Sequence, residues 1–463
     1  MKIYNTLTHK IEEFIPIEEG KVTIYTCGPT VYHYAHIGNM RNYIGHDILV
    51  RTFKYLGYDV TRAMNITDVG HLTSDSDSGE DKMMKAVKRE GKTAMEIADF
   101  YTKAFFDDFD KLNLIRPDIV KPATGEINTY IDIITKLIDT GYAYVSGGNV
   151  YFDVSKVNDY YQLTNHIADE MVVGVRDGVE EDNAKRNQAD FALWFTTSKF
   201  EHQELQWDSP WGRGYPGWHI ECSGISIKYL GERIDIHGGG VDNIFPHHTN
   251  EIAQSESYLG HKWVNYWFHN EHLLDDSGKM AKSNGAILTV SKLEEQGYNP
   301  LSFRFMALNS HYRKQLLFTY DALNQAESTY KKLKNRVLKI EDEGLIQEDK
   351  FTYYDNSFKE AITNDLNTAN SLSVLYDLLK DVDVNGHTKL EIIKRFDTVL
   401  GLKLTEKDEI KDIDEDYVLD MIAKRNEAKK NKDYALADSI REELLSKGIV
   451  LKDTREGTVY EVL

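Results

Sequence analysis

Lys21-Val22-Thr23-Ile24-Tyr25-Thr26-Cys27-Gly28-Pro29-Thr30-Val31-Tyr32-His33-Tyr34-Ala35-His36-Ile37-Gly38-Asn39 is the stretch on which the fold turns. Its first six residues alternate apolar and polar and are rich in β-branched types, the pattern of a strand. Gly28-Pro29-Thr30 forces a turn. From about Gly38 the apolar positions Met40, Ile44, Ile48, Leu49, Phe53 and Leu56 recur at helical spacing until Gly57. Asp59 to Thr67 reads as a second strand. Strand, helix and strand in so short a span make a βαβ unit, whose ligand site lies outside the carboxyl ends of its strands. His33, His36 and Asn39 cluster at the helix start, where amide groups and side-chain donors can hold phosphate oxygens. A plain helix cap accounts for Asn39 in part and for the two histidines hardly at all. Gly38 removes side-chain bulk there and leaves room for a planar base.

Outward from this unit, Gly70 to Asp81 is a polar, glycine-punctuated loop. Its aspartates lack the terminal glutamate and register of a calcium loop, so a solvated loop is expected. Helical patterns run through Leu112, and Ile127, Tyr130, Ile131, Ile134, Leu137 and Ile138 line another amphipathic helix. Gly147-Gly148-Asn149 before the alternating Val150 to Val154 reads as a hairpin, and the whole middle block as an insertion between two halves of a sheet. Trp207 to Ser223 concentrates tryptophan and proline as a shaped pocket wall would. Arg233 to His237 reads as a short strand, Gly238-Gly239-Gly240 as a turn, and Asn250 to Leu259 as a helix carrying Glu251. The second half thus repeats the strand, glycine, helix design of the first. Lys279-Met280-Ala281-Lys282-Ser283 places two lysines three apart in a loop opened by Asp275-Asp276-Ser277-Gly278, suited to cover an anionic ligand held by the first stretch. After about Tyr320 the pattern is helical to about Gly448, so a helical bundle is expected beyond a boundary near Phe318, with Val450 to Leu463 as a short strand-like extension.

The chain has 463 residues and 41% hydrophobic content, which predicts two or three domains. A formal net charge of −20 argues against general affinity for nucleic acid, while a local basic face could still recognise a shaped RNA. No apolar run suits a membrane span and the polar opening is no signal peptide, so a cytoplasmic protein is expected. The two cysteines, Cys27 and Cys222, are better weighed as thiolates than as a disulfide. With His247 and Glu251, four apart and so on one helix face, they form a set of types that suits zinc. Two buried cysteines beside an unrelated helix pair is the alternative that residue types leave open. Location favours the metal: Cys27 ends a strand beside the phosphate turn and Cys222 adjoins the tryptophan wall, so both can face one cleft.

His36-Ile37-Gly38-Asn39 resembles the HIGH signature, and Lys279-Met280-Ala281-Lys282-Ser283 the KMSKS signature, of class I aminoacyl-tRNA synthetases. Cys27-Gly28-Pro29-Thr30-Val31-Tyr32, Gly217-Trp218-His219-Ile220-Glu221-Cys222-Ser223, His237-Gly238-Gly239-Gly240-Val241-Asp242 and Phe245-Pro246-His247-His248-Thr249-Asn250-Glu251 resemble the cysteinyl-tRNA synthetase family more closely. Lys424-Arg425-Asn426-Glu427-Ala428-Lys429 and Tyr434 to Asp438 are similar to the family's anticodon-binding end. Asn39 stands where HIGH has its second histidine, and Ala281 where KMSKS has its first serine.

The resemblance implies an α/β chain. It comprises a Rossmann-like catalytic domain in two halves (1–112 and 207–318), a connective insertion (113–206), a helical bundle (319–411) and an anticodon-binding region (412–463). It implies one zinc held by Cys27, Cys222, His247 and Glu251, with magnesium accompanying ATP. His36, Asn39, Lys279 and Lys282 would be catalytic; His33, Gly38, Gly239 and Asp242 would join His36, Asn39 and Lys282 around ATP; Thr67 and Trp218 would meet the amino acid. The implied partners are ATP, L-cysteine and tRNA(Cys), and the chain is expected to act as a monomer. Three rivals remain: a ligase that transfers activated cysteine to a small-molecule amino group, a synthetase-like RNA-binding or regulatory protein without catalysis, and a zinc-stabilised nucleotide-binding protein with no transfer step. The first would be expected to lack the C-terminal portion and the second the zinc set or Lys282, all of which this chain keeps, and the match of the C-terminal portion also counts against the third.

Overall fold

A computed structural model describes residues 1–70, 82–164, 184–196, 204–275, 278–279, 287–407, 415–446, 449–454 and 457–462. The expected loop beyond Gly70, and Met280 to Ser283 with Lys282 among them, lie outside these residues. The chain divides into two compact units, Met1–Thr405 and Glu406–Leu463.

The first unit opens with a hairpin of β1 (Lys2–Asn5) and β2 (Lys10–Glu13). β3 (Lys21–Thr26), α1 (Ile37–Tyr55) and β4 (Asp59–Ile66) make the βαβ unit, and α2 (Lys82–Glu90) and α3 (Ala94–Lys111) follow. β5 (Ile119–Pro122) then pairs with β4 in parallel. This edge strand falls inside the block expected to be an insertion. Beyond it come α4 (Ile127–Asp139) and an antiparallel sheet of β6 (Ala143–Ser146), β7 (Asn149–Phe152), β8 (Phe191–Phe195) and β9 (Tyr215–Pro216). The chain returns through α5 (Trp218–Leu230), β10 (Ile234–Gly240), α6 (Thr249–Leu259) and β11 (Val264–Asn270).

The completed parallel sheet has the order β11-β10-β3-β4-β5. From β3 the chain works outward to β4 and β5; from β10 it works outward the other way to β11. β3 and β10 are therefore neighbours at the switch point, in register Ile24 to Ile236, Tyr25 to His237 and Thr26 to Gly238. A crevice outside the carboxyl ends of two such strands is where an open α/β sheet takes its ligand.

Gly238-Gly239-Gly240 is not the turn that the glycines led us to expect. It continues β10, opposite Phe268, His269 and Asn270 of β11. A Cβ on Gly238 would stand 2.8 Å from His46 Nε2, and one on Gly239 would stand 2.7 Å from the His248 ring, so the bare backbone admits both imidazoles.

β12 (Leu273–Asp275), β13 (Gly278–Lys279) and β14 (Leu316–Leu317) form a small sheet in which Lys279 pairs with Leu274, and α7 (Val290–Glu295) and α8 (Pro300–Leu308) lie between. The bundle helices are α9 (Tyr320–Leu338), α10 (Glu348–Thr363), α11 (Thr368–Lys380) and α12 (Gly386–Leu400). Body and bundle share one apolar core that runs from Ile24 and Ile48 to Phe358 and Phe396. Inside it, the Arg304 guanidinium donates to Asp47 Oδ2 at 2.6 Å, to Leu400 O at 2.7 Å and to Leu112 O at 3.2 Å. Burial works to raise the Asp47 carboxyl, but Arg304 and Arg51 outweigh it and hold Asp47 below the usual carboxylate range. One buried ion pair thus fastens α1 to α8, the end of α3 and α12. The second unit contains α13 (Glu415–Lys430), α14 (Tyr434–Ser446) and the hairpin of β15 (Ile449–Thr454) and β16 (Gly457–Val462), with its own core of Val418, Ile440, Leu444 and Ile449.

Candidate active site

Cys27 directly follows β3 at the switch point, where its N–H donates to Gly238 O of β10 at 3.2 Å. The turn after it brings α1 in, and His36 is the N-cap of that helix: its Nδ1 accepts from Asn39 N–H while Asn39 Oδ1 accepts from His36 N–H, both at 3.2 Å. The reciprocal cap therefore accounts for His36 and Asn39, more than the sequence led us to expect of a cap, but not for His33. Gly38 serves this cap as well, since a Cβ there would lie 2.8 Å from His36 Nδ1. His33 Nδ1 accepts from Tyr34 N–H at 2.8 Å, and its ring stacks on Tyr101 with centroids 5.7 Å apart.

Cys222, in the first turns of α5, is carried to the same place. Its Sγ lies 3.8 Å from Cys27 Sγ and 3.5 Å from His247 Nε2, and His247 Nε2 lies 3.1 Å from Glu251 Oε1. All four ligand atoms fall within 4.8 Å of one another, and all four residues are buried. A tetrahedral ion with N, O and S ligands at about 2.0–2.3 Å holds its ligand atoms roughly 3.3–3.8 Å apart, which these spacings approach. A second set, Cys27, His237, His248 and Glu251, shares two members with the first. Hydrogen bonding separates them. His237 Nε2 is 2.8 Å from Glu251 Oε2 and steadies that carboxylate, whereas Glu251 Oε1 is buried and accepts no hydrogen bond among the described residues. His219 Nδ1 meets His247 Nδ1 at 2.8 Å, which leaves His247 Nε2 directed at Cys222 and Glu251. Cys27, Cys222, His247 and Glu251 are thus the set with a ligand-facing atom on each member and a supporting shell behind it.

Burial sets the electrostatics of these groups. Burial pushes the Cys27 and Cys222 thiols up and raises the Glu251 carboxyl to about 8. Burial also pushes the His237 and His269 imidazoles down to about 3 and His248 well below its ordinary value. A bound divalent ion reverses the penalty on the thiolates and the carboxylate and suits neutral imidazole.

Other expected site residues are distributed around this centre. Trp218 packs against His247 beside the ligand set, with ring centroids 4.8 Å apart and the rings inclined at 44°. Thr67 follows β4, with its hydroxyl 2.8 Å from Glu221 Oε2. Gly239 lies in β10 under His248, and Asp242, just past that strand, is 3.4 Å from His272 Nε2. Lys279 is placed by its backbone in β13; Lys282 lies outside the described residues. Sequence reasoning missed the support: His219, His237, His248 and His269 were not assigned, although each stands in or beside a quoted motif or the end of β11. His269 links His248 to Thr6 of the amino-terminal segment through two contacts of 2.8 Å.

Residues 13–328 match the family model of the class I (C) tRNA synthetase catalytic domain, and residues 357–405 match the DALR domain. A cysteine–tRNA ligase of Treponema denticola is 48% identical, with 100% of each chain covered. The chain belongs to the cysteine–tRNA ligase family. A cysteine–tRNA ligase of Borrelia hermsii is 42% identical over 99% of this chain and 98% of its own. A solved methionyl-tRNA synthetase of Mycobacterium tuberculosis, in complex with methionyl-adenylate, superposes with a TM-score of 0.57 at 13% identity, covering 84% of this chain and 92% of its own. That likeness shows the shared class I fold. Among the described residues of this ligase no helix is long and apolar enough to cross a membrane.

Proposed function

We propose that the chain activates L-cysteine with ATP, releasing pyrophosphate, and transfers cysteine from the adenylate to the 3′-terminal ribose of tRNA(Cys). The observation that carries this reading is the convergence of Cys27, Cys222, His247 and Glu251 at the switch point of the sheet, one turn from the HIGH-like helix start. Zinc is the ion these donors suit, and when bound it supplies a soft Lewis acid that prefers the sulfur of cysteine to the oxygen of serine.

The chain's own residues do the rest. Trp218 closes the side-chain end of the pocket, and Thr67 holds the polar end of the amino acid. Gly239 lies under adenine and Asp242 accepts from the ribose, while His33, His36, Gly38 and Asn39 line the phosphates with magnesium. Lys279 and Lys282 neutralise the charge that develops as the amino-acid carboxylate attacks the α-phosphate and pyrophosphate leaves. No side-chain nucleophile is needed. Such a zinc ion would give a discrimination between cysteine and serine that an apolar pocket cannot supply, so no editing site would be required. The connective block 113–206 and the bundle 319–411 frame the catalytic halves, the region 412–463 reads the anticodon, and the chain works as a cytoplasmic monomer. The test is aminoacylation of a tRNA mixture with labelled cysteine. Label on tRNA(Cys) alone is expected; label on a small amine with none on tRNA would replace this reading by that of a small-molecule ligase.

A further inference from the structure

Arg41 stands in α1 shortly after the cap formed by His36 and Asn39, and it is buried. Its guanidinium donates only to main-chain oxygens among the bonds it makes: Nη1 to Glu271 O and, at 2.5 Å, to His272 O, and Nη2 to Lys314 O. Glu271 and His272 lead from β11 into β12, and Lys314 leads into β14. These two segments flank the stretch that places Lys279 in β13. They are also joined to each other. Glu271 N–H donates to Tyr312 O at 2.8 Å, Leu316 N–H to His272 O at 3.1 Å and Phe318 N–H to Leu274 O at 2.7 Å. His272 O thus uses both lone pairs, one on the ladder and one on Arg41. The helix meets the same place a second time, where Asn270 Nδ2 donates to Asn42 Oδ1 at 2.9 Å and to Asn42 O at 3.3 Å. A Cβ on Gly45 would stand 1.8 Å from Asn270 Oδ1, so α1 is seated directly on the exit of β11. Burial lowers the Arg41 guanidinium to about 10, which leaves it charged at neutral pH.

We propose that Arg41 is a positioning residue for adenylate formation, which clamps the two chain segments flanking Lys279 to the helix whose start, at His36 and Asn39, meets the phosphates. This rests on the reading that Lys279 and Lys282 neutralise the charge developed at the α-phosphate during cysteine activation. A side chain that bonds main-chain oxygens fixes the path of the chain whatever side chains it carries. The planar guanidinium fork reaches both segments at once, which the single ammonium of lysine cannot do. A helix rises about 1.5 Å per residue, so Arg41 lies only about 7.5 Å along α1 from His36. One rigid element, acting through one side chain, therefore sets the distance between the strand that bears Lys279 and the phosphates. Misplacement by about 1 Å can cost roughly 100-fold in rate, so a clamp of this kind is felt in the chemical step.

The test is a double-mutant cycle in the full chain, read by cysteine-dependent ATP–pyrophosphate exchange. Arg41→Met removes the donors and keeps most of the side-chain length. It should lower kcat about tenfold or more while KM for cysteine and for ATP stays within about twofold, the pattern of an interaction made only in the transition state. Zinc bound per chain should not change. In a chain that already carries Lys279→Ala and Lys282→Ala, Arg41→Met should lower kcat by less than about twofold, because nothing is left to position. Arg41→Lys, which keeps the charge without the fork, should behave as Arg41→Met does. Equal fold losses in the two backgrounds would make Arg41 structural and overturn the proposal, as would a wild-type kcat in Arg41→Met or Arg41→Lys. Should Arg41→Met fail to fold, Arg41→Lys takes its place in the cycle under the same criteria. If the wild-type chain shows no exchange with cysteine, the activation reading itself fails; equal losses beside intact wild-type exchange remove this inference alone.

Discussion

Burial raises the Glu251 carboxyl from 4.5 to about 8 and depresses the His237 and His269 imidazoles from 6.5 to about 3, and each shift has a consequence for stability. Between pH 4.5 and about 8 the native carboxyl keeps a proton that the unfolded chain has released, so stability falls as pH rises through that window. The imidazoles, His248 with them, stay neutral in the fold while the unfolded chain takes up protons below 6.5, so stability is lost as pH falls from 6.5 toward 3. Where the windows overlap, three imidazoles oppose one carboxyl. Protein stripped of metal by a chelator should therefore melt highest near pH 6.5. Added zinc should lift the alkaline side most, because the ion favours the charged carboxylate; calorimetric melting from pH 5 to 8.5 with and without zinc checks both. Cys222→Ser should lower bound zinc and the preference for cysteine over serine together, read by metal analysis beside pyrophosphate exchange. A full zinc complement with unchanged selectivity would remove Cys222 from the ligand set.

At the scale of elements, the Asp47–Arg304 pair is the point where α1, α8 and α12 meet, and both side chains are wholly buried. Asp47→Ala leaves the guanidinium charged in the core, which should cost about 3–5 kcal/mol. All six tryptophans lie in the first unit, so urea unfolding followed by tryptophan emission reads this loss without interference from the second. The elements that sequence made legible are those whose side chains repeat with a clear period: β3 and β4 by alternation, α1 by its apolar face, α6 by its run to Gly260. What stayed hidden lacked a period. Ile119-Val120-Lys121-Pro122 is too short and too polar to announce the edge strand β5. Gly238-Gly239-Gly240 looks like a turn because glycine has no side chain to favour a strand, and only the imidazoles packed against it explain why the strand needs it bare. The four metal-set residues were legible by type and motif. The histidines behind them were not, because what qualifies His219, His237 and His269 is a partner distant in sequence.

At the scale of the whole molecule, every residue assigned to activation lies within Met1–Thr405, while the second unit has its own core and its own ion pairs from Arg425 and Lys429 to Asp453. A chain ending at Thr405 should keep cysteine-dependent pyrophosphate exchange near the full-length rate and lose most charging of tRNA(Cys); parallel assays of the two activities check it, and undiminished charging would take tRNA recognition away from the second unit. The placement of Cys27 and Cys222 has a consequence for how the protein matures. The two sulfurs are 195 positions apart, and their partners His247 and Glu251 come later still. A chain emerging from the ribosome does not carry all four of these residues until α6 has been made, and Glu251 must then be brought beside Cys27. On the proposed zinc assignment, zinc bound per chain would count the molecules in which the two sulfur-bearing halves have come together.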